Sequence, residues 1–477
     1  MKKQVYAFLT ALLMTGTALA GEETIGTDAQ KNLNIVIYNN DRALVRDTRG
    51  VSLTAGKNEI AYAGISGQII PSSVILNGQG IALLENNFNF DVLSYESLLE
   101  KSLGETVTVQ YMNPKTGIMD VNTAELIALN GSTPILRING KVDGSYPGRI
   151  LFNRIPANLR AKPTLVMSVA SDKATNQDLT LNYMTTGLAW DANYVARLSA
   201  DNKEMTLDGW VSLTNNSGVD YQNAHMQVVA GDVNLRPIER PVARRKSANH
   251  VMAMDGMVFG DVMAEEKVAD YHMYTLPRTT DILDRQTKQV SLLNADNVGI
   301  QKVYQFNSQL RPASEVKSAK PSVQIVFQNT KENHLGIALP RGTVRLYQAD
   351  KKGDLIFVGE DYINHVGNLE EVKLNMGTAF DISADAKRTR IEKGFKVVTP
   401  RKEQPYTDAT YEVTLRNGTA GEVTVNVSEY MGEDWTILTE THPSTRPTAT
   451  QAEWRVPVPA EGTTTLTYTV RLKGDIY

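Results

Sequence analysis

Residues 183–234 read YMTTGLAWDANYVARLSADNKEMTLDGWVSLTNNSGVDYQNAHMQVVAGDVN, and their alternation decides the fold class. Trp190, Ala192, Tyr194, Ala196 and Leu198 fall on one face of a strand, opposite Asp191, Asn193 and Arg197. A second strand sets Met205, Leu207, Val211 and Leu213 against Thr206, Asp208, Trp210, Ser212 and Thr214. A third sets Ala224, Met226, Val228 and Ala230 against His225 and Gln227. Side chains that alternate in this way make a half-buried sheet. Asn215-Asn216-Ser217-Gly218 supplies the hairpin turn between the last two strands. The period is that of a β-sandwich or an open barrel, an architecture that names no reaction.

The same device, an alternating strand, an Asn-containing turn and a second strand, returns in SVQIVFQNTKENHLGIALP (322–340) and TYEVTLRNGTAGEVTVNVSEYM (410–431). In residues 401–477, the sets Tyr411, Val413, Leu415, then Val423, Val425, Val427, then Leu466, Tyr468, Val470, Leu472 face inward, as in a small immunoglobulin-like sandwich. At the other end, NIVIYNNDRALVRD (34–47) opens an N-terminal β region over 28–93. The period then changes. Ser94 to Leu103 offers a serine N-cap with a second serine, Ser97, at the third helical position, Leu98, Leu99 and Leu103 on one stripe, and Gly104 to close a short helix. Short alternating runs over 105–155 follow, so 94–158 is expected to be a helix plus a small β-barrel. Residues 159–400 form the central sandwich, interrupted by a Met-, Gly- and Arg-rich excursion at 235–275. That excursion is expected to be mobile, with one or two helical turns near Val262 to Asp270. The fold class is therefore mostly β and multidomain.

A chain of 477 residues with 42% hydrophobic residues is large enough for about three packed domains. Residues 1–20 have the form of a signal peptide. Lys2 and Lys3 come first, then an apolar run from Val5 to Met14, and Ala18-Leu19-Ala20 places cleavage between Ala20 and Gly21. No run is long enough to span a bilayer once that leader is removed. Cysteine is absent, which excludes disulfides, thiol nucleophiles and zinc–thiolate sites and suits an oxidising compartment. The expected address is periplasmic or secreted. The net charge of −4 becomes −6 when Lys2 and Lys3 leave with the leader, which argues against nucleic acid as partner.

Several stretches carry a family likeness: IYNNDRALVRD, NFDVLSYESLLEKSLGE, GLAWDANYVARL, LDGWVSLTNNSG, VVAGDVN, RQTKQVSLL, LGIALPRGTVRLYQADKKGDLIFVGED and YEVTLRNGTAGEVTVNVSEYMGEDW. Over nearly all of residues 32–440 the chain resembles exported bacterial proteins grouped under a domain of unknown function and distantly related to mucoidy inhibitor A-like proteins. The resemblance implies an all-β fold, a cell-envelope address and an association with surface polysaccharide. It implies no catalytic residues. The mucoidy relatives also carry a coiled-coil insertion, for which no sustained heptads exist here.

Patterns for known chemistry are few. There is no G-x-S-x-G, H-E-x-x-H, P-loop, dinucleotide fingerprint or EF-hand loop, and no cofactor is expected. Ser314-Glu315-Val316-Lys317 matches S-x-x-K without its partner motifs, as chance would produce. His365, near Glu360 and Asp361, is the histidine nearest to carboxylates; it reads either as a catalytic base or as a turn residue bonded to backbone. Trp210 projects among Thr206, Asp208 and Ser212, an aromatic ring ringed by hydrogen-bonding groups. That is the chemistry of a sugar-binding platform, unless a second layer covers the face and makes Trp210 core. Met252, Met254 and Met257 are soft donors that could hold Cu(I), or simply loop residues. The expectation is an envelope binding or structural protein that contacts carbohydrate or an envelope protein. A polysaccharide hydrolase is the first alternative, and a protein that docks a partner through 235–275 is the second.

Overall fold

The computed structural model describes residues 22–89, 93–156, 159–231, 233–234, 262–308, 315–399, 402–432 and 434–473. It is mostly β, with one α-helix among these residues. Two compact units share the chain. The first runs to Ala189 and adds Thr214–Gln227 and Thr279–Thr287; the second takes Trp190–Leu213, Val228–Arg278 and everything from Lys288.

In the first unit, one sheet orders Glu23–Ile25, Gly56–Ala63, Thr164–Ser171 and Ile81–Asn89. A second brings Gln30–Tyr38, Arg42–Leu53, Thr175–Thr185 and Ile75–Asn77 side by side. Ile35 pairs with Val45 and both are fully buried, as the alternation requires. The strand Arg42–Leu53 also turns Asp47 and Arg49 inward, among Val45, Val51 and Leu53. Unpaired charge there would be prohibitive, but this pair is saturated. Arg49 Nε and Nη2 donate to Asp47 Oδ2 at 3.0 and 2.6 Å, and Nη1 donates to the Ile25 and Ala63 carbonyls, each at 2.8 Å. Gln30 Nε2 takes the other Asp47 oxygen at 2.8 Å. One guanidinium thus ties the second sheet to two strands of the first.

Residues 94–155 keep the expected helix, Tyr95–Lys101. Ser94 Oγ accepts from Ser97 N at 3.1 Å and Ser97 Oγ accepts from Ser94 N at 2.8 Å, a capping box built from two serines. Of the leucine stripe, Leu99 is buried, Leu98 half-buried and Leu103 exposed. The expected barrel does not form. The five strands lie in the open order Lys141–Asp143, Thr133–Ile138, Met119–Asn130, Thr106–Met112, Arg149–Leu151. The two outermost strands have three residues each, too few to bond edge to edge around a barrel, and Leu99 helps to seal the small core instead.

In the second unit, a five-stranded sheet orders Gln286–Gly299, Glu204–Asn215, Leu188–Leu198, Gly342–Ala349 and Leu355–Ile363. Leu188–Leu198 and Gly342–Ala349 run parallel, with Ala192 opposite Gly342, whose missing Cβ would lie 2.2 Å from Ala192 O. The C-terminal sandwich is larger than 401–477. Its sheets also use Gln301–Asn307, Ser322–Gln328, Glu371–Thr378 and Ile382–Thr399, and Phe306 and Ile382 share a core with Val413 and Leu466. The reason is one long hairpin: Ile382–Thr399 pairs with Lys402–Asn417 from Ile382↔Asn417 to Thr399↔Lys402, so no boundary can fall at residue 400. Trp454 stacks on Tyr468 at 4.3 Å in the centre of this core.

The helical turns expected near Val262 to Asp270 are replaced by a β-hairpin. Ala264–Val268 pairs with Tyr271–Thr275 about a tight turn in which Ala269 takes φ 53°. The rest of the excursion, 235–261, lies outside the described residues.

The recurrent Asn turns share one device. Asn215, Asn329 and Asn417 are all buried at strand ends. Asn417 Nδ2 donates to the Gly421, Val458 and Pro459 carbonyls, and its Oδ1 accepts from the backbone and hydroxyl of Thr419. Asn215 does the same with Val219 O, Ile282 O and Ser217, and Asn329 with Ile337 O, Gly367 O and Gly336 N. Asn417→Ala should cost about 1–3 kcal/mol in denaturant unfolding, because it strands buried carbonyls. Asn417→Asp, which turns a carboxylate towards three carbonyl oxygens, should cost more.

Burial also sets an alkaline limit. Desolvation raises the hydroxyl of Tyr183 well above its usual range and pushes Tyr221 up to about 12 from 10.0. The folded state therefore holds these protons after the unfolded chain has released them. Both contributions are complete below pH 10 and erode above it, that of Tyr221 being lost as pH rises towards 12. The melting temperature should fall across that window, tracked by tyrosinate absorbance; a flat melting temperature there would contradict the burial.

Candidate functional site on the outer face of the five-stranded sheet

The inward face of Glu204–Asn215 is crowded: at Gly209 a Cβ would meet Leu293 Cγ at 2.9 Å and Tyr194 Cε1 at 3.2 Å. Trp190, Tyr194, Val211 and Leu213 are buried on that side. The other face carries the residues singled out from sequence. Thr206, Asp208, Trp210, Ser212 and Thr214 are all half-buried, so Trp210 is not core.

Hydrogen bonds to both neighbouring strands fix the register. Asn193 Nδ2 and Gln289 Nε2 both donate to Ser212 Oγ, at 3.1 and 3.2 Å. Two accepted bonds leave the Ser212 hydroxyl proton to donate outward. Four residues along, Arg197 Nη1 contacts Asp208 Oδ2 at 2.6 Å and Asn294 Nδ2 donates to Asp208 Oδ1. Asn193–Ser212 and Arg197–Asp208 bracket one position, which sets Trp210 beside Val195. The ring thus sits between an amide–hydroxyl cluster and a neutralised ion pair. Of the four residues expected to contact a ligand, Asp208 has both oxygens engaged and acts as an anchor, while Trp210, Ser212 and Thr206 remain available.

The face extends past these residues. Asn193 pairs with Thr343, Val195 with Arg345 and Arg197 with Tyr347; on the next strand, Tyr362, Glu360 and Phe357 lie opposite those three. Arg345 and Glu360 approach to 3.4 Å, and Tyr347 meets Phe357 edge-on at 5.7 Å. Phe357 and Tyr362 are 53% and 56% exposed. The sequence reading missed this aromatic edge, because only the parallel pairing of Leu188–Leu198 with Gly342–Ala349 brings it into the sheet of Trp210, across those two intervening strands.

The other candidates stand apart. His365 Nδ1 accepts the Arg341 N–H at 3.2 Å, while Glu360 faces Arg345 and Asp361 Oδ2 accepts from Asn375 N at 2.7 Å. His365 lines a cavity of about 150 Å³ together with Asp270, His272 and Tyr274. His272 Nδ1 lies 2.6 Å from Glu265 Oε1, a pair that only the unforeseen hairpin register could reveal. The hairpin grips both backbone polar groups of one residue: Tyr274 donates to Ala338 O at 2.8 Å and Ala338 N donates to Glu265 Oε2 at 3.2 Å. Met252, Met254 and Met257, Ser314, and the expected cleavage pair Ala20 and Gly21 lie outside the described residues. Among the described residues, no group of three or more His, Asp or Glu could hold a metal ion, and no helix is long and apolar enough to cross a membrane.

Asp208→Ala should lower stability by about 1–3 kcal/mol in urea unfolding, since a half-buried guanidinium loses its partner. A change below about 0.5 kcal/mol would show the pair to be screened by solvent.

No curated protein matches the chain. A family model described as "Domain of unknown function (DUF4139)" matches residues 179–473, which include the whole of this face, and the chain belongs to that family.

Proposed function

We propose that the protein is an exported, non-enzymatic binding or structural protein of the bacterial cell envelope that contacts surface polysaccharide through the Trp210 face. The observation that carries this reading is the placement of a half-buried indole on an outer face, flanked by a serine donor, amides and a neutralised ion pair. Such a surface stacks on the C–H face of a pyranose while its rim exchanges hydrogen bonds with hydroxyls. The sequence adds the leader form of residues 1–20, the absence of cysteine and the likeness to mucoidy inhibitor A-like proteins.

A hydrolase acting on polysaccharide would need two carboxyl groups about 5–9 Å apart in a walled cleft. Two cavities of the second unit each bring one carboxylate to their lining, Asp381 in one and Asp270 in the other. That favours contact over turnover.

The test is co-sedimentation of the purified chain with envelope polysaccharide. Trp210→Ala should lose most of the binding with an unchanged melting temperature, because the ring is not part of the core. Undiminished binding in that variant would remove the proposal.

A further inference from the structure

Ala379, Phe380 and Asp381 join Glu371–Thr378 to Ile382–Thr399, and the connection is pinned at every residue. Ala379 N donates to Pro321 O at 2.8 Å, Lys320 Nζ donates to the Phe380 carbonyl, and Gly418 N donates to Asp381 O at 2.8 Å. Yet Phe380 is 88% exposed, the most exposed of the large hydrophobic residues described. Lys320 Nζ lies over the phenyl ring at 5.9 Å, and on so constrained a backbone the rest of the ring is presented to solvent at little further ordering cost to whatever stacks upon it.

Beside the ring lies a cavity of about 340 Å³, floored by Val323, Met376 and Ile382. Its rim combines Tyr304, Lys302 and Asp381 with the hydroxyls of Thr378 and Thr419. Lys302 lies over the Tyr304 ring at 5.6 Å, and neither Lys302 nor Asp381 has an oppositely charged partner among the described residues. Thr419 donates to Asn417 Oδ1 at 2.7 Å, so towards the cavity its hydroxyl offers an acceptor. One cationic donor, one anionic acceptor and two hydroxyls suit vicinal hydroxyl groups and leave no net charge to attract an ion. The volume is at the small end for ligand sites, enough for one or two sugar rings.

We propose that this cavity is a saccharide subsite that takes the terminal one or two rings of a neutral glycan, one of them stacked on Phe380. The choice of ligand class rests on the reading of the Trp210 face as glycan-binding; the cavity and its residues do not.

Saturation-transfer NMR on the full chain, with maltose, cellobiose and diacetylchitobiose as probes and a phenylalanine-containing tripeptide as the competing class, tests it. At least one disaccharide should receive transfer. Phe380→Ala should weaken its binding about tenfold, Asp381→Asn should weaken it too, and Phe395→Ala, which removes an exposed ring away from the cavity, should leave it unchanged. Melting temperatures should stay constant, since both substituted side chains at the cavity are exposed. Transfer to the tripeptide alone, to no probe at all, or equally in Phe380→Ala and the unmodified chain would overturn the subsite. Loss of disaccharide binding in Trp210→Ala with Phe380→Ala intact would also overturn it while sparing the Trp210 reading. If instead Trp210→Ala keeps its polysaccharide and Phe380→Ala loses its disaccharide, the subsite stands and the other reading fails.

Discussion

A sandwich hides its strands but must bend the chain back at each end, where carbonyl groups have no strand to pair with. Burying such groups bare is more expensive than a single hydrogen bond is stabilising. In this protein one side chain meets that requirement three times. Asn215, Asn329 and Asn417 each turn a carboxamide into the closing loop and serve as donor and acceptor at once. Apart from glutamine, no other neutral side chain offers an NH2 with two donors beside a carbonyl acceptor on one rigid plane, and glutamine would add a rotor to immobilise. The alternating strands on either side depend on that closure, because their inward faces stay dry only while the ends are sealed.

The same economy appears on a larger scale in the first unit. Its buried guanidinium, Arg49, spends its donors on Asp47 and on carbonyls of two strands in the facing sheet. A hydrophobic residue there would pack but would leave the Ile25 and Ala63 carbonyls without that donor. Buried polar groups of this kind fix which strand lies over which. The outer face of the five-stranded sheet uses the opposite arrangement. There the hydrogen bonds run sideways between strands, from Asn193 and Gln289 to Ser212, and hold polar groups in place without covering Trp210.

Much of this was legible in the residues. Strict alternation around Trp210 set it apart from the aliphatic face, but the residues alone left open whether a second layer covers that side. The serine pair Ser94 and Ser97 read correctly as a helix start. Other features depend on pairings between distant segments. The aromatic edge of Phe357 and Tyr362 joins the Trp210 face through a parallel pairing that no local pattern encodes. The hairpin at Ala264–Thr275 lay hidden because AEEKVADYHMYT has charges where a helix would also accept them, and only its turn and register reveal a sheet. The compact alternating stretch beyond residue 401 read as a domain of its own, whereas Ile382–Thr399 pairs with Lys402–Asn417 along one long ribbon that spans that point.

The buried asparagines have a consequence for anyone producing this protein in a eukaryotic secretory host. Asn215-Asn216-Ser217 and Asn417-Gly418-Thr419 both spell the triplet that oligosaccharyltransferase recognises. In the folded chain the acceptor nitrogen of each is buried and already donates to main-chain carbonyls. Glycan attached at either of these two sites during synthesis would occupy the space into which its loop must fold, so chains modified there would keep open sandwich ends.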